Sequence, residues 1–259
     1  MSDGIIQLNF LQVALAYIFV LIVLFFLRRR GIQREKELIF ASLRMTIQLI
    51  AVGYILTFVF EQPHPLVTLA IVLIMVGFAI LTLFRKFKGK LSHRIKKVIV
   101  LSMTLGTLPV VLYFLLIVIR VEPYYNPQYF VPITGMIIGN SMTGISLGIH
   151  TMLNRFNHQK HEIEESLILG ATPKQASNQI INDSFDAAIM PTLNSMLGMG
   201  IIFLPGMMTG QILSGVAPNM AILYQIGIML GILGGVSLAT YLFLQLGYRT
   251  FFNHQKQLI

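Results

Sequence analysis

The chain has 259 residues, of which 55% are apolar and only 11% are charged, and its net charge is +9. Soluble domains carry about 25% charged residues, so this composition excludes an ordinary cytosolic enzyme and any disordered or fibrous class. Several uncharged stretches reach or approach the ~20 residues that a helix needs to cross a bilayer. The sequence therefore predicts an all-α, polytopic helical membrane protein. Cysteine is absent, which excludes disulfides, thiolate metal sites and cysteine nucleophiles.

Hydropathy predicts about seven membrane-crossing helices. Their ranges are roughly 5–27, 38–60, 66–84, 98–119, 130–150, 186–204 and 221–246. The first has no basic segment before it and no small-residue cleavage site, and Arg28–Arg30 follow it. We therefore interpret it as an anchor rather than a signal peptide.

Basic residues are concentrated in alternate loops. The segments 28–37, 85–97 and 151–185 and the tail after 246 together hold 17 of the 19 Lys and Arg residues. Because cytoplasmic loops retain Lys and Arg, we expect the N-terminus outside and the C-terminus in the cytosol. We expect a multi-pass protein of the bacterial inner membrane, so the positive charge reflects topology and indicates no nucleic-acid partner.

The longest inner loop, at about 151–185, has the pattern of a helix, a turn and a second helix. Gly170 can end the first helix. Thr172 is a suitable N-cap, Pro173 suits the first helical position, and Gln175 lies where a capping box needs it. Ile163, Leu167 and Ile168 form an apolar face. Such a helix can lie among lipid headgroups or dock on a cytosolic partner, and the pattern alone leaves both open.

This loop is similar to a known transporter element. Glu164-Glu165-Ser166, separated by three residues from Gly170, which is separated by nine residues from Ile180, resembles the coupling loop of ABC transporter permeases. A narrower resemblance, to iron-export permeases of the FetB type and the plant aluminium-resistance permeases, covers almost the whole chain. Its motifs are Arg44-x-x-x-Gln48-Leu, Met136-Ile-Ile-Gly-Asn140, Leu169-Gly-Ala-Thr-Pro-Lys-Gln-Ala-Ser177, Leu204-Pro-Gly-Met-Met-Thr-Gly210 and Tyr224-Gln-Ile226.

The resemblance implies a single permease domain over 1–259 that works as two copies with two cytosolic ABC ATPase subunits. The chain itself would bind no cofactor, and ATP and Mg would lie on the partner. Independently, the sequence contains no Gly-x-x-x-x-Gly-Lys-[Ser/Thr] motif, which agrees with an energy source on another subunit. The residues implied in coupling are Glu164, Glu165, Leu167, Gly170, Ala171, Thr172, Pro173, Lys174 and Gln175.

The function that the resemblance implies is export of a metal ion, iron, by a permease subunit that is not itself an enzyme. An ABC permease with another substrate or direction, and a non-transporting membrane scaffold, remain as alternatives. Polar side chains within the predicted crossings are candidates for the transport pathway, because lipid penalises them. They are Arg44, Gln48, Asn140, Asn194, Gln211, Asp183 and Asp186.

Each candidate also has a structural interpretation. Arg44 can extend to the inner headgroups, and amides commonly hydrogen-bond neighbouring helices. For Asp183 and Asp186 we favour stabilisation of the N-terminus of the sixth helix over a role in attracting a cation. The segment 204–218 is either a re-entrant outer gate or an outer loop with a short helix. No residues are assigned to a metal, and the methionines around the sixth helix are interpreted mainly as core filler.

Overall fold

The computed structural model describes residues 9–253 and 255–258. The chain divides into two compact units, Met1–Gln62 and Pro63–Ile259, and each is described by itself. The predicted single permease domain over 1–259 stays a prediction.

The first unit is built from three helices, α1 (Phe10–Ala16), α2 (Ile18–Arg29) and α3 (Glu35–Glu61). The first predicted crossing, 5–27, thus corresponds to α1 and α2, while residues 5–8 lie outside the described part of the chain. Tyr17 separates the two helices, and its hydroxyl donates to the Ser42 carbonyl oxygen at 3.3 Å and contacts the Thr46 hydroxyl. These contacts join the break in the apolar segment to α3.

The second unit is a bundle of five long helices with three shorter ones. The long helices are α4 (Pro65–Lys86), α5 (His93–Tyr113), α6 (Pro127–His158), α9 (Asn178–Gly198) and α11 (Pro218–Gly247). The short helices are α7 (Lys160–Ile168), α8 (Pro173–Ala176) and α10 (Gly206–Leu213), while a π-helix (Phe114–Ile119) extends α5 and a 3₁₀ turn (Tyr248–Phe251) follows α11. The architecture of the described residues is all-α, as predicted.

Helix α11 lies at the centre of the second unit and packs against α5, α6 and α9. One apolar cluster fills the end of the bundle that carries the α4–α5 loop, α7 and the C-terminal tail, with Phe87, Phe156 and Phe252 among its members. A second cluster, around Leu115 and Ile228, fills the opposite end. The basic loops of this unit therefore share one end of the bundle, as a common cytosolic side requires.

Six helical segments of the described chain are long and apolar enough to cross a membrane. They correspond to all the predicted crossings except the sixth. The helix at that place, α9, begins at Asn178 and ends at Gly198 rather than spanning 186–204, and its polar residues keep it outside the six. The predicted boundaries are wrong because α9 starts directly after α8, and because a tight turn at Gly200 (φ +84°) follows its C-terminal end.

Two glycines allow the central helices to approach each other closely. A Cβ atom placed on Gly106 of α5 would lie 2.3 Å from the Ala239 Cα atom of α11. A Cβ atom placed on Gly235 of α11 would lie 2.6 Å from Ile137 Cγ2 of α6. Small residues that let helix backbones meet are a common basis of packing in lipid, and here they hold α5 and α6 against α11.

We expect Gly106→Ala to lower the thermal stability of the detergent-solubilised protein, because the added methyl group would push the α11 backbone away. Such overpacking typically costs about 1–3 kcal/mol. Gly77→Ala on α4 is the matched control, since nothing lies within 4 Å of its added Cβ atom, and it should be neutral or slightly stabilising. Equal melting temperatures for the two variants would contradict the close approach.

Candidate functional site

The turn between α7 and α8 has the local structure that its sequence predicts. Thr172 is the N-cap of α8, and its hydroxyl oxygen accepts from the Gln175 backbone N–H at 3.3 Å. In return, Gln175 Oε1 accepts from the Thr172 backbone N–H at 2.9 Å. Pro173 occupies the first helical position. This capping box satisfies the free backbone donors at the start of a helix only four residues long.

Gly170 ends α7 in the left-handed conformation, with φ +92°. Its backbone N–H donates to the Leu167 carbonyl oxygen at 3.1 Å, and the Ala171 N–H donates to the Ser166 carbonyl oxygen at 3.0 Å. This pair of hydrogen bonds is the Schellman arrangement, which favours glycine because a Cβ atom is disfavoured at positive φ. The shape of the turn is therefore set by its own sequence.

The predicted apolar face of α7 is only partly correct. Ile163 is buried, and Leu167 packs against the main core of the chain. By contrast, Ile168 is 84% exposed and its neighbour Leu169 is 87% exposed. The protein therefore covers the first half of that face itself and leaves two large apolar side chains uncovered at the tip of the turn.

The remaining residues implied in coupling surround these two apolar side chains. Glu164 pairs with Lys160 at 3.7 Å and Glu165 with His161 at 3.4 Å, both one turn apart on α7. Exposed side chains of this group are Glu165, Thr172, Lys174 and Gln175, and the partly exposed ones are Glu164, Ala171 and Pro173. Contacts between side chains as exposed as these stabilise little, so they leave the turn available for binding. Their predicted role in coupling stays a prediction.

The turn is joined to two long helices with almost no slack. Only Gln159 separates α6 from α7, and only Ser177 separates α8 from α9. Ser177 is buried, and its hydroxyl donates to the Pro173 carbonyl oxygen at 2.6 Å. The connection between the long helices is thus shorter than the predicted loop of 151–185, and a displacement of the turn must move the ends of α6 and α9.

The C-terminal tail lies beside the turn, a feature that the sequence did not reveal. The Phe156 ring of α6 stacks on the Phe251 ring with centroids 4.1 Å apart. Gln255–Leu258 then line a cleft of about 690 Å³ together with α7 residues and the turn. The tail therefore contributes to the same exposed surface as the turn.

We expect Thr172→Ala to loosen α8, because it removes the capping hydroxyl at a cost of about 1 kcal/mol. Tryptic cleavage after the exposed Lys174 should then accelerate roughly fivefold, since cleavage follows the population of the locally opened form. Thr172→Ser keeps the hydroxyl and should be cleaved at the original rate. Similar rates for both variants would show that the cap does not hold the turn.

Two predicted pathway residues, Arg44 and Gln48, lie one turn apart on α3 of the first unit. Arg44 is partly buried and takes part in an interaction, whereas Gln48 is exposed. A third, Gln211, lies on α10, and its Oε1 atom is buried without a hydrogen-bond partner among the described residues. The structure thus confirms a short helix within 204–218, and whether that segment is re-entrant stays a prediction.

Asp183 and Asp186 differ in their environment. Asp183 Oδ2 lies 3.0 Å from Arg155 Nη1 of α6, whereas Asp186 is exposed. The favoured role of both residues at a helix N-terminus is wrong, because α9 begins at Asn178 and has no acidic residue in its first turn. The dipole effect fades within that turn. Asp183 therefore joins α9 to α6, and Asp186 carries an uncovered charge.

Helices α6 and α9 are packed antiparallel. A Cβ atom placed on Gly144 would lie 3.4 Å from the Ala188 carbonyl oxygen, and one placed on Gly148 would lie 3.8 Å from the Ser184 carbonyl oxygen. The Arg155–Asp183 ion pair also joins the two helices. The register of the glycine contacts places His150 level with Asn182.

Beside this contact the two helices expose polar side chains in two rows. We call these rows the polar stripe; its members are Asn140, Thr143 and His150 on α6 and Asn182, Asp186 and Asn194 on α9. Three of the six, Asn140, Asn194 and Asp186, are among the pathway candidates predicted from the sequence, and Thr143, His150 and Asn182 are not. The signal was their spacing of three, four, seven or eight residues, which brings side chains to one side of a helix. Burial then shows that Ser141, a polar neighbour, points inward.

Side chains that could bind a metal do not form a cluster in the part of the chain that the structure describes. Among residues 9–253 and 255–258, no group of three or more His, Cys, Asp or Glu side chains could hold a metal ion. His161 Nε2 lies 3.4 Å from Glu165 Oε1 on the same helix. Of the methionines near α9, Met208 is buried and Met196, Met199 and Met207 pack on a core cluster, which agrees with their interpretation as filler, whereas Met190 is exposed.

Comparison with known proteins decides the family. The profile described as "Uncharacterised protein family (UPF0014)" matches residues 10–252. The chain belongs to the UPF0014 family. With the six apolar helices, this membership identifies a multi-pass membrane protein. No solved structure matches the chain.

Members of the UPF0014 family from bacteria and plants match nearly the whole chain. The "Probable iron export permease protein FetB" of Escherichia coli is 34% identical over 248 residues, which cover 96% of this chain and 94% of that protein. The "UPF0014 membrane protein YjkA" of Bacillus subtilis is 32% identical and covers 97% and 98%. "Protein ALUMINUM SENSITIVE 3" of Arabidopsis thaliana is 32% identical and covers 95% and 88%. The predicted resemblance is therefore confirmed.

Proposed function

We propose that this chain is the permease subunit of an ABC transporter, which exports a metal ion with energy from a separate ATPase subunit. The observation that carries the proposal is the turn between α7 and α8. It exposes Ile168 and Leu169 at the basic end of the bundle. Large exposed apolar side chains rimmed by charged residues are typical of protein-binding sites, and a lipid surface would have to accommodate the carboxylates of Glu164 and Glu165 as well.

The continuity of the chain supports a route by which such a partner would drive transport. The turn is continuous with α6 and α9, so a partner that moves it also moves the two helices that carry the polar stripe. ATP binding to the partner would favour one arrangement of these helices and nucleotide release the other. The free energy would come from the different affinity of ATP for the two states, as a shift in population requires.

Iron is the first ion to test, because a relative that matches nearly the whole chain is named as a probable iron export permease. The plant relative named for aluminium sensitivity also indicates a metal. ATP and Mg would be bound by the partner, and a second copy of the chain would complete the transporter. No enzymatic step is assigned to this chain.

We expect Leu169→Glu to abolish binding of the ATPase subunit. The tagged chain would be purified from its native membranes in mild detergent, and a co-purifying protein with a P-loop motif would be identified by mass spectrometry. Loss of a central apolar contact and burial of a carboxylate should lower the bound fraction about tenfold or more.

Ile201→Glu is the matched control, because Ile201 is 90% exposed but lies at the opposite end of the bundle. It should leave the bound fraction unchanged. The coupling proposal is wrong if the wild-type chain recovers no P-loop ATPase, or if Leu169→Glu retains it.

In inverted vesicles that contain the chain with its ATPase, we expect ATP-dependent uptake of Fe²⁺, because export from the cell becomes uptake in this orientation. The Leu169→Glu variant should take up Fe²⁺ only at the rate seen without ATP. If another solute accumulates instead, iron is not the substrate, but the chain is still a permease. If vesicles with an active ATPase accumulate no solute in either orientation, the scaffold alternative is favoured.

A further inference from the structure

The surface of the second unit is sorted by polarity around the bundle. Helices α4, α5 and α11 expose large apolar side chains, including Leu73 (56% exposed), Leu105 (55%) and Leu230 (57%). Helix α6 exposes no large apolar side chain over Pro127–His158, all of which lies within the described residues. The polar stripe occupies that side instead.

A polar stripe of this length is poorly suited to face lipid. At 1.5 Å per residue, Asn140 lies about 20 Å along α6 from its outer end at Pro127, which is near the middle of a hydrocarbon layer of about 30 Å. Polar groups at that depth need water or protein partners. The amide of Asn140 donates to the Met136 carbonyl oxygen of its own helix at 2.8 Å, while its outer surface stays uncovered.

The charges of the stripe select one kind of solute. Asp186 is the one carboxylate of the stripe, since the neighbouring Asp183 lies outside it and is paired with Arg155. No Lys or Arg belongs to the stripe. An exposed carboxylate attracts cations and repels anions.

The other side chains of the stripe carry amide, hydroxyl and imidazole groups. Imidazole, carboxylate and amide groups suit partly hydrated first-row divalent cations. Met190, at the level of Thr143, adds an exposed thioether beside them. Since no single chain supplies three strong ligands among its described residues, passage rather than tight binding is favoured.

We propose that the polar stripe is one wall of a water-filled path for a divalent cation, with Asp186 as the attracting charge at its inner mouth. This assignment rests on the proposed permease function for the direction of movement, and the second copy in that proposal would face the stripe from the other side. It assigns Thr143, His150 and Asn182 to the path and leaves Asp183 as a link between α6 and α9.

Site-directed cysteines test the wall directly, because the chain has no cysteine of its own. Thr143→Cys and His150→Cys would be compared with Leu73→Cys and Leu105→Cys in inverted vesicles treated with a charged, membrane-impermeant thiol reagent. Modification requires water and the thiolate, and apolar surroundings suppress ionisation of the thiol. The stripe cysteines should therefore react on the order of tenfold faster than the controls.

The cation is tested in the same vesicles with Mn²⁺, which does not oxidise thiols. Mn²⁺ should slow modification of Thr143→Cys several-fold. This protection should disappear when Asp186→Asn is added and persist when Asp186→Glu is added. Each variant is compared after total labelling in denaturant, so that poor expression or misfolding does not imitate protection.

The outcomes separate this inference from the proposed function. If the stripe cysteines react as slowly as the controls, the polar stripe does not line a water-filled path, whether or not Fe²⁺ is transported. If modification is fast but Mn²⁺ does not protect, the stripe lines a water-filled path but a divalent cation does not occupy it. Protection that depends on Asp186, in vesicles that show no ATP-driven uptake, supports the inference while the proposed function fails.

Discussion

The cost of placing a polar group against lipid organises the surface of this protein. Helices that expose Leu, Ile and Phe can meet hydrocarbon directly, whereas α6 and α9 expose amides, an imidazole and a carboxylate. Because the bilayer interior offers no hydrogen-bond partner, this second kind of face must be covered by water or protein. The same constraint accounts for α9, a helix of 21 residues in the bundle whose hydropathy sets it apart from the six apolar segments.

The polar face and the exposed turn belong to one mechanical element. Single residues connect α6 to α7 and α8 to α9, so the turn between α7 and α8 cannot move independently of the long helices. Close packing stiffens this element: the Arg155–Asp183 pair joins α6 to α9. Helix α11 packs against α6 at Gly235 and Thr240 and also packs against α9. A protein partner at the turn would therefore act on the surface that we assign to the solute.

Local features were predictable from sequence because they depend on neighbours along the chain. The capping box of Thr172 and Gln175 and the glycine at the end of α7 are determined by backbone conformation over a few residues. Apolar segments could equally be predicted, because a membrane-crossing helix needs an apolar sequence wherever it lies in the chain. Predictions failed where a residue is defined by its partner. Asp183 was expected at a helix end, but its charge is paired with Arg155, 28 positions away along the chain, and no periodicity reveals such a pairing.

The sequence by itself determined that the chain is an all-α membrane protein, where its apolar helices lie, and the form of the turn between α7 and α8. Its motifs also pointed to the family. Only the tertiary structure decided that Ile163 is covered while Leu169 is not, that Ser141 is buried while Asn140 is exposed, and that Asp186 rather than Asp183 remains uncovered. The physical reason is that exposure depends on which helices pack together, and packing joins residues that are distant in the chain.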